Sequence, residues 1–165
     1  MIRGVTLLLA AAVLPSCGYH LVRPDVGAGR TVLVPVPVND TGWHGIEADL
    51  ASGLRADMQR QLDVRLSADA PDLVLNTEIA DATRGERVGR RGGGAALGTA
   101  RLRVDWHLLD ASGTELVGGS ILRELEFVTT VGEDPYATFP GILAEISEQI
   151  VLEVGARLAA DAPTS

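Results

Sequence analysis

The chain has 165 residues and a net charge of −8, the length of one ordinary domain. All its basic residues are Arg, which excludes a phosphate-loop lysine or a Schiff-base lysine, and an acidic chain is a poor general binder of nucleic acid because phosphate affinity rests on clustered cations. A single Cys excludes an internal disulfide and a cysteine-rich metal site, and an aromatic content of 4% leaves Val, Leu, Ile and Ala to build the core.

Met1-Ile2-Arg3 is a short positive start, and Val5 to Leu14 is an uninterrupted run without charge. A helix needs about 20 apolar residues to span a bilayer, so this run reads as the core of a signal peptide. Leu14-Pro15-Ser16-Cys17-Gly18 resembles a lipobox: a branched apolar residue, a small residue, then Cys. The resemblance implies that residues 1–16 are cleaved and that Cys17 carries a thioether-linked diacylglycerol and an acylated amine. More than one acyl chain gives stable anchoring. Gly18 stands where many lipoproteins retained in the inner membrane carry Asp, which implies export to the periplasmic side of the outer membrane. Residues 17–30 contain Pro24, Gly27 and Gly29 and read as a tether.

The domain is expected over 31–160. Val32, Val34, Val36 and Val38 alternate with Leu33, Pro35 and Pro37, as in a half-buried strand. Both prolines lack a donor on the same side, which predicts an edge strand. After the turn at Asn39-Asp40-Thr41-Gly42, the residues Ile46, Leu50, Leu54, Met58 and Leu62 predict a helix, with Glu47, Asp49, Arg55, Asp57 and Arg60 around the rest of it. Asp63 to Leu66 is a possible short extension. Leu73 to Ala80 predicts a second strand. Arg84 to Ala100, rich in Arg and Gly, predicts a mobile loop.

Arg101 to Leu109 predicts a strand with Leu102, Val104, Trp106 and Leu108 on one face and Arg101, Arg103, Asp105 and His107 on the other. A hairpin loop at Asp110 to Gly113 leads to a return strand over 114–130, with a bulge expected at Gly118-Gly119. Thr138 and Pro140 predict the start of a second helix, whose stripe is Ile142, Ile146, Ile150, Val154 and Leu158. Residues 161–165 read as a disordered tail. The sum is an α+β two-layer sandwich: a mixed sheet of about four strands covered by two amphipathic helices.

Few residues suggest chemistry. His20, His44 and His107 lack metal-ligand spacing, and neither a nucleophile elbow nor a phosphate loop occurs. No cofactor or metal is expected, and the chain reads as a non-enzyme. The one functional signal is Arg84, Arg87, Arg90, Arg91, Arg101 and Arg103, six of the fourteen arginines, opposed within that stretch by Glu86 and predicting a local positive field. Arg forks bind phosphate or carboxylate bidentately. Nucleic acid is not the expected ligand, since the leader directs export and no aromatics interleave the arginines.

Cys17-Gly18-Tyr19-His20-Leu21 resembles the start of the LPS-assembly lipoproteins of the LptE family. Val34 to Thr41, Ala70-Pro71-Asp72-Leu73-Val74-Leu75 and Arg101-Leu102-Arg103-Val104 resemble that family's first, second and third strands, in the same order. The resemblance implies a sheet with two packed helices, seated in the lumen of the outer-membrane β-barrel LptD, that supports barrel assembly and lipopolysaccharide delivery. It implies lipopolysaccharide contact by basic residues, with Arg101 and Arg103 the first candidates and the loop arginines next. The Arg/Gly-rich loop departs from the family pattern. An accessory lipoprotein of another envelope lipid-transport or secretion system is the alternative, since such proteins also begin with a Val-rich strand and an amphipathic helix.

Overall fold

The computed structural model describes residues 25–88, 96–129 and 136–161. Cys17, the leader, most of the tether, Arg90 and Arg91 lie outside the described residues, as do residues 162–165 of the expected tail. The elements are β1 (Arg30–Leu33), β2 (Val38–Asn39), α1 (Ile46–Gln61), β3 (Val64–Leu66), β4 (Leu73–Val88), β5 (Ala96–Asp110), β6 (Glu115–Thr129) and α2 (Phe139–Ala160). The fold is α+β, as expected, with an open mixed sheet of six strands rather than four. Its order is β3-β1-β4-β5-β6, with β2 beside β4. β1, β2 and β3 pair in parallel; β4, β5 and β6 form an antiparallel meander.

The two extra strands have separate causes. The Val-rich segment is not one edge strand. Its prolines withhold donors, so the ladder lapses over residues 34–37 and resumes as β2. The alternation slips there too: Val32, Val34 and Pro37 are buried, whereas Val36 and Val38 are more than half exposed. β1 is interior, between β3 and β4. The stranded Val34 carbonyl accepts from Arg55 of α1, through Nε at 3.0 Å and Nη2 at 2.7 Å. A lapsed ladder still leaves polar groups to satisfy, and a helix side chain does so here. The second addition, β3, continues the segment after α1 into parallel register with β1.

The start of the domain lies upstream of β1. The Asp63 N–H donates to Val26 O at 2.7 Å, and the Gly29 N–H donates to Asp63 O at 2.9 Å. These bonds dock the 25–29 turn on the chain leaving α1. Gly27 has φ of 111°, and a Cβ there would lie 2.6 Å from Asp63 O. Only glycine meets both demands.

The expected loop over 84–100 is largely strand. β4 continues to Val88 and β5 begins at Ala96, with Thr83, Arg84, Gly85 and Glu86 paired to Arg101, Ala100, Thr99 and Gly98. Cross-strand pairing overrides the weak local preference of an Arg/Gly-rich sequence. The expected bulge is also displaced. Gly118 and Gly119 pair regularly with His107 and Trp106, and the register shifts at Leu108/Leu109, opposite Leu116. The glycines serve close packing: a Cβ on Gly118 would meet His107 Nδ1 at 2.7 Å, and one on Gly119 would meet Trp106 Nε1 at 3.1 Å.

Both helical stripes fall where expected. Ile46, Leu50, Leu54 and Met58 of α1 are buried, as are Ile142, Ile146, Ile150, Val154 and Leu158 of α2; Leu62, expected as the last member of the first stripe, is instead the extended C-cap beyond α1 and is half-buried. The buried stripe residues join Leu73, Leu75, Ile79, Leu102, Val104, Trp106 and Leu108 in one core. The helices also pack on each other. A Cβ on Gly53 would lie 3.3 Å from Ser147 Oγ, and one on Gly155 would lie 2.9 Å from Leu62 Cδ2. Asp57, expected on the polar side of α1, is buried at this contact and accepts from Ser147 Oγ at 2.6 Å.

Candidate functional site

Among the described residues, three surfaces stand out once the core is closed: the uncovered face of the meander, the edge of β6, and the corner where the helices begin. The uncovered face carries the sequence-predicted Arg101 and Arg103 side by side, as the period of two required. Their surroundings differ from expectation. Arg101 Nε lies 3.4 Å from Asp81 Oδ2, and Glu124 is its cross-strand neighbour on β6. Arg103 Nη2 lies 3.9 Å from Asp105 Oδ2. Register places Glu78, Asp81, Asp105, Glu124 and Glu126 on this face. Among the described residues it is acidic, with each of these two guanidiniums beside a carboxylate.

The other predicted arginines are not gathered with that pair. Arg84 pairs with Ala100, one residue before Arg101, and so lies on the opposite face. Its guanidinium sits 4.4 Å above the centre of the Phe127 ring, and its Nε is buried without a hydrogen-bond partner. A cation over an aromatic face is attracted by the ring quadrupole. Arg84 therefore closes the core beyond the helices. Arg87 lies in β4; Arg90 and Arg91 belong to the undescribed connection.

Where the ladder lapses beside Pro35 and Pro37, the uncovered face is indented by a shallow groove of about 360 Å³, lined by Pro35, Val36, Val38, Glu78, Asp105 and His107. His107, part of that lining, has its Nδ1 3.2 Å from Glu115 Oε2. No trio of metal-ligating side chains gathers anywhere among the described residues.

The corner is organised by Asn39. Its Nδ2 donates to Trp43 O at 2.8 Å and to Glu47 Oε2 at 2.7 Å, and its Oδ1 accepts from the Thr41 N–H and hydroxyl. Glu47 also accepts from the N–H of the left-handed N-cap residue Gly45 at 2.9 Å, which fixes the approach to a helix start that has no side-chain cap. Backbone hydrogen bonding first, then the Asn39 amide, holds the Glu47 carboxyl below its ordinary range. Trp43 meets Tyr136 and Phe139 edge-on, with centroids 5.1 and 4.8 Å apart. Thr138 stands at the N-cap of α2 but makes no capping bond through its side chain. A groove of about 390 Å³ lies between the two helix starts, lined by His44, Gly45, Asp49, Tyr136, Phe139 and Pro140. No described helix is long and apolar enough to cross a membrane.

Among the described residues, two helices laid on one face of an open sheet, with an acidic face opposite, define a small two-layer α+β domain. Solved structures of the same architecture come from several bacteria. A protein of the DUF330 family model from Xanthomonas campestris is 16% identical, with a TM-score of 0.56 over 82% of this chain and 89% of that one. A minor lipoprotein from Acinetobacter baumannii is 14% identical, TM-score 0.54, over 78% of this chain and 94% of that one. A lipoprotein from Neisseria meningitidis is 12% identical, TM-score 0.51, over 78% and 99%. At these identities the likeness establishes a shared fold. No family model and no curated protein matches the sequence.

Proposed function

We propose that this chain is an envelope lipoprotein, acylated at Cys17 and held at the periplasmic side of the outer membrane, whose domain binds partners and catalyses no reaction. The observation that carries this reading is the lipobox-like Leu14-Pro15-Ser16-Cys17-Gly18 ahead of a domain whose fold recurs in proteins described as lipoproteins. The finer reading is an LptE-like partner of the LptD barrel, acting as plug and scaffold in lipopolysaccharide assembly and touching lipopolysaccharide through Arg101, Arg103 and the arginines of the β4–β5 connection.

A second reading is favoured by a specific observation. Among the described residues the face that bears Arg101 and Arg103 is acidic, which disfavours a lipopolysaccharide phosphate there and with it the lipopolysaccharide-contact part of the first reading. That suits an accessory lipoprotein of another envelope lipid-transport or secretion system. Mass spectrometry of the mature amino terminus tests the anchor: a triacylated Cys17 is expected, and an unmodified thiol on a freely soluble protein overturns the reading. Depletion in cells separates the two systems. Loss of surface lipopolysaccharide and co-purification of a large barrel support the first; intact lipopolysaccharide with altered phospholipid transport or secretion supports the second.

A further inference from the structure

β6 is the outermost strand of the meander, paired to β5 alone among the described strands. Its first half is blunted. Arg157 of α2 donates to Leu116 O at 3.1 Å, and Arg123 donates to Leu122 O at 3.1 Å. Two of its carbonyls, those of Leu116 and Leu122, are thus taken by arginine. From Leu122 onward the side chains of Leu122, Leu125 and Val128 are exposed, by 46, 42 and 60%. An edge strand with exposed apolar side chains is a ready template for another strand. Leu122, Glu124, Glu126 and Val128 alternate along the uncovered face, opposite Arg103, Arg101, Thr99 and Leu97.

Charge decides which strand fits. A second copy, paired antiparallel so that Leu122 meets Val128, brings Glu124 of each copy opposite Glu126 of the other. Like charges directly opposite are destabilising, whereas opposite charges stabilise the pair. An incoming strand with basic side chains across from Glu124 and Glu126, and apolar ones across from Leu122 and Val128, matches the row in charge and polarity. The two carboxylates keep their existing interactions; the incoming strand meets the negative charge that predominates on this face among the described residues, to which Glu78, Asp81 and Asp105 contribute.

We propose that the edge of β6 over residues 122–128 docks an extended segment of a partner protein whose every second residue runs apolar, basic, basic, apolar. Main-chain pairing supplies the attachment, and the apolar-basic-basic-apolar row supplies selectivity. The proposal rests on the reading of the domain as a partner-binding module, and it is independent of the anchor.

The test uses the mature chain and two fluorescent nine-residue peptides. One carries Val, Arg, Arg and Val at alternate positions separated by Thr; the other has Glu in place of Arg. By anisotropy at low ionic strength the Arg peptide is expected to bind about five- to tenfold more tightly. The E124R/E126R double variant, checked for an unchanged melting curve, is expected to reverse that preference, and V128D to weaken the Arg peptide in a chain that still melts normally. Equal binding of both peptides, binding of neither, or a preference that survives the charge swap overturns the proposal. A chain that sediments as a dimer and takes neither peptide assigns the edge to a second copy instead. An unmodified Cys17 in cells sinks the anchor without touching the peptide preference, so the two readings fail separately.

Discussion

The parallel side of the sheet and the antiparallel meander are built on different rules. β4, β5 and β6 run 16, 15 and 15 residues, each hairpin partner following its neighbour in the chain. At about 3.3 Å per residue they reach roughly 50 Å, well beyond the roughly 33 Å of the 22-residue α2. β1, β2 and β3 have 4, 2 and 3 residues and hold only with help from elsewhere. Arg55 satisfies Val34, the 25–29 turn clamps Asp63, and Asp72 accepts from both the N–H and hydroxyl of Thr31 at 2.8 Å. The meander pairs with itself; the parallel side is tied down by side chains and by α1. Local pairing tolerates poor strand formers, while short crossover strands need each tie.

The sharpest way to break this contrast is in α1. Leu54 is fully buried, and Leu54→Ala should cost about 2–5 kcal/mol by the usual transfer and cavity terms. Hydrogen exchange should then rise first in β1 and β3 and last in β5. A uniform rise across all strands would show one cooperative unit and remove the distinction. Next is Gly27→Ala, which forces a Cβ into Asp63 O and disfavours a φ of 111°. A loss of about 1–3 kcal/mol in urea unfolding is expected. Ser147→Ala removes the hydroxyl that donates to buried Asp57, and about 1 kcal/mol should go with it.

The smallest effect is a pH dependence. The Thr31 N–H, then the Thr31 hydroxyl, holds the Asp72 carboxyl below its ordinary 3.8. A carboxyl depressed in the folded state adds stability above its unfolded pKa, and that contribution fades as pH falls through the folded pKa. Acid below about pH 4 should therefore loosen β1 from β4, and Asp72→Asn should flatten that part of the acid titration. An unchanged titration in the variant would remove Asp72 from the list of ties.

Periodic features were legible from residues alone. The two four-residue stripes and the two-residue alternation of β5 each follow from aliphatic placement, and each lands on its element apart from Leu62, one residue past the end of α1. Non-local features were not. Nothing near Arg84 signals that Phe127, far along the chain, will lie beneath it. Nothing near Arg101 and Arg103 signals that Asp81 and Glu124 will be their neighbours, because register sets that. The prolines gave the correct warning about missing donors, but the consequence was a split strand inside the sheet rather than an edge. Asp57 was hidden by its charge. The useful hint lay in the small residues Gly53, Ser147 and Gly155, which mark where two helices come close.

The docked 25–29 turn has a mechanical consequence. It fastens the incoming chain beside β3, at one margin of the sheet, while β6 forms the other. Four inter-strand gaps of about 4.8 Å separate those margins by roughly 19 Å. A pull applied between the leading segment and anything gripping β6 would run across the strands and load their ladders in series, so the weakest seam would open first. That seam is the brief β1–β4 contact at Val32 and Leu33, braced by Thr31 and Asp72.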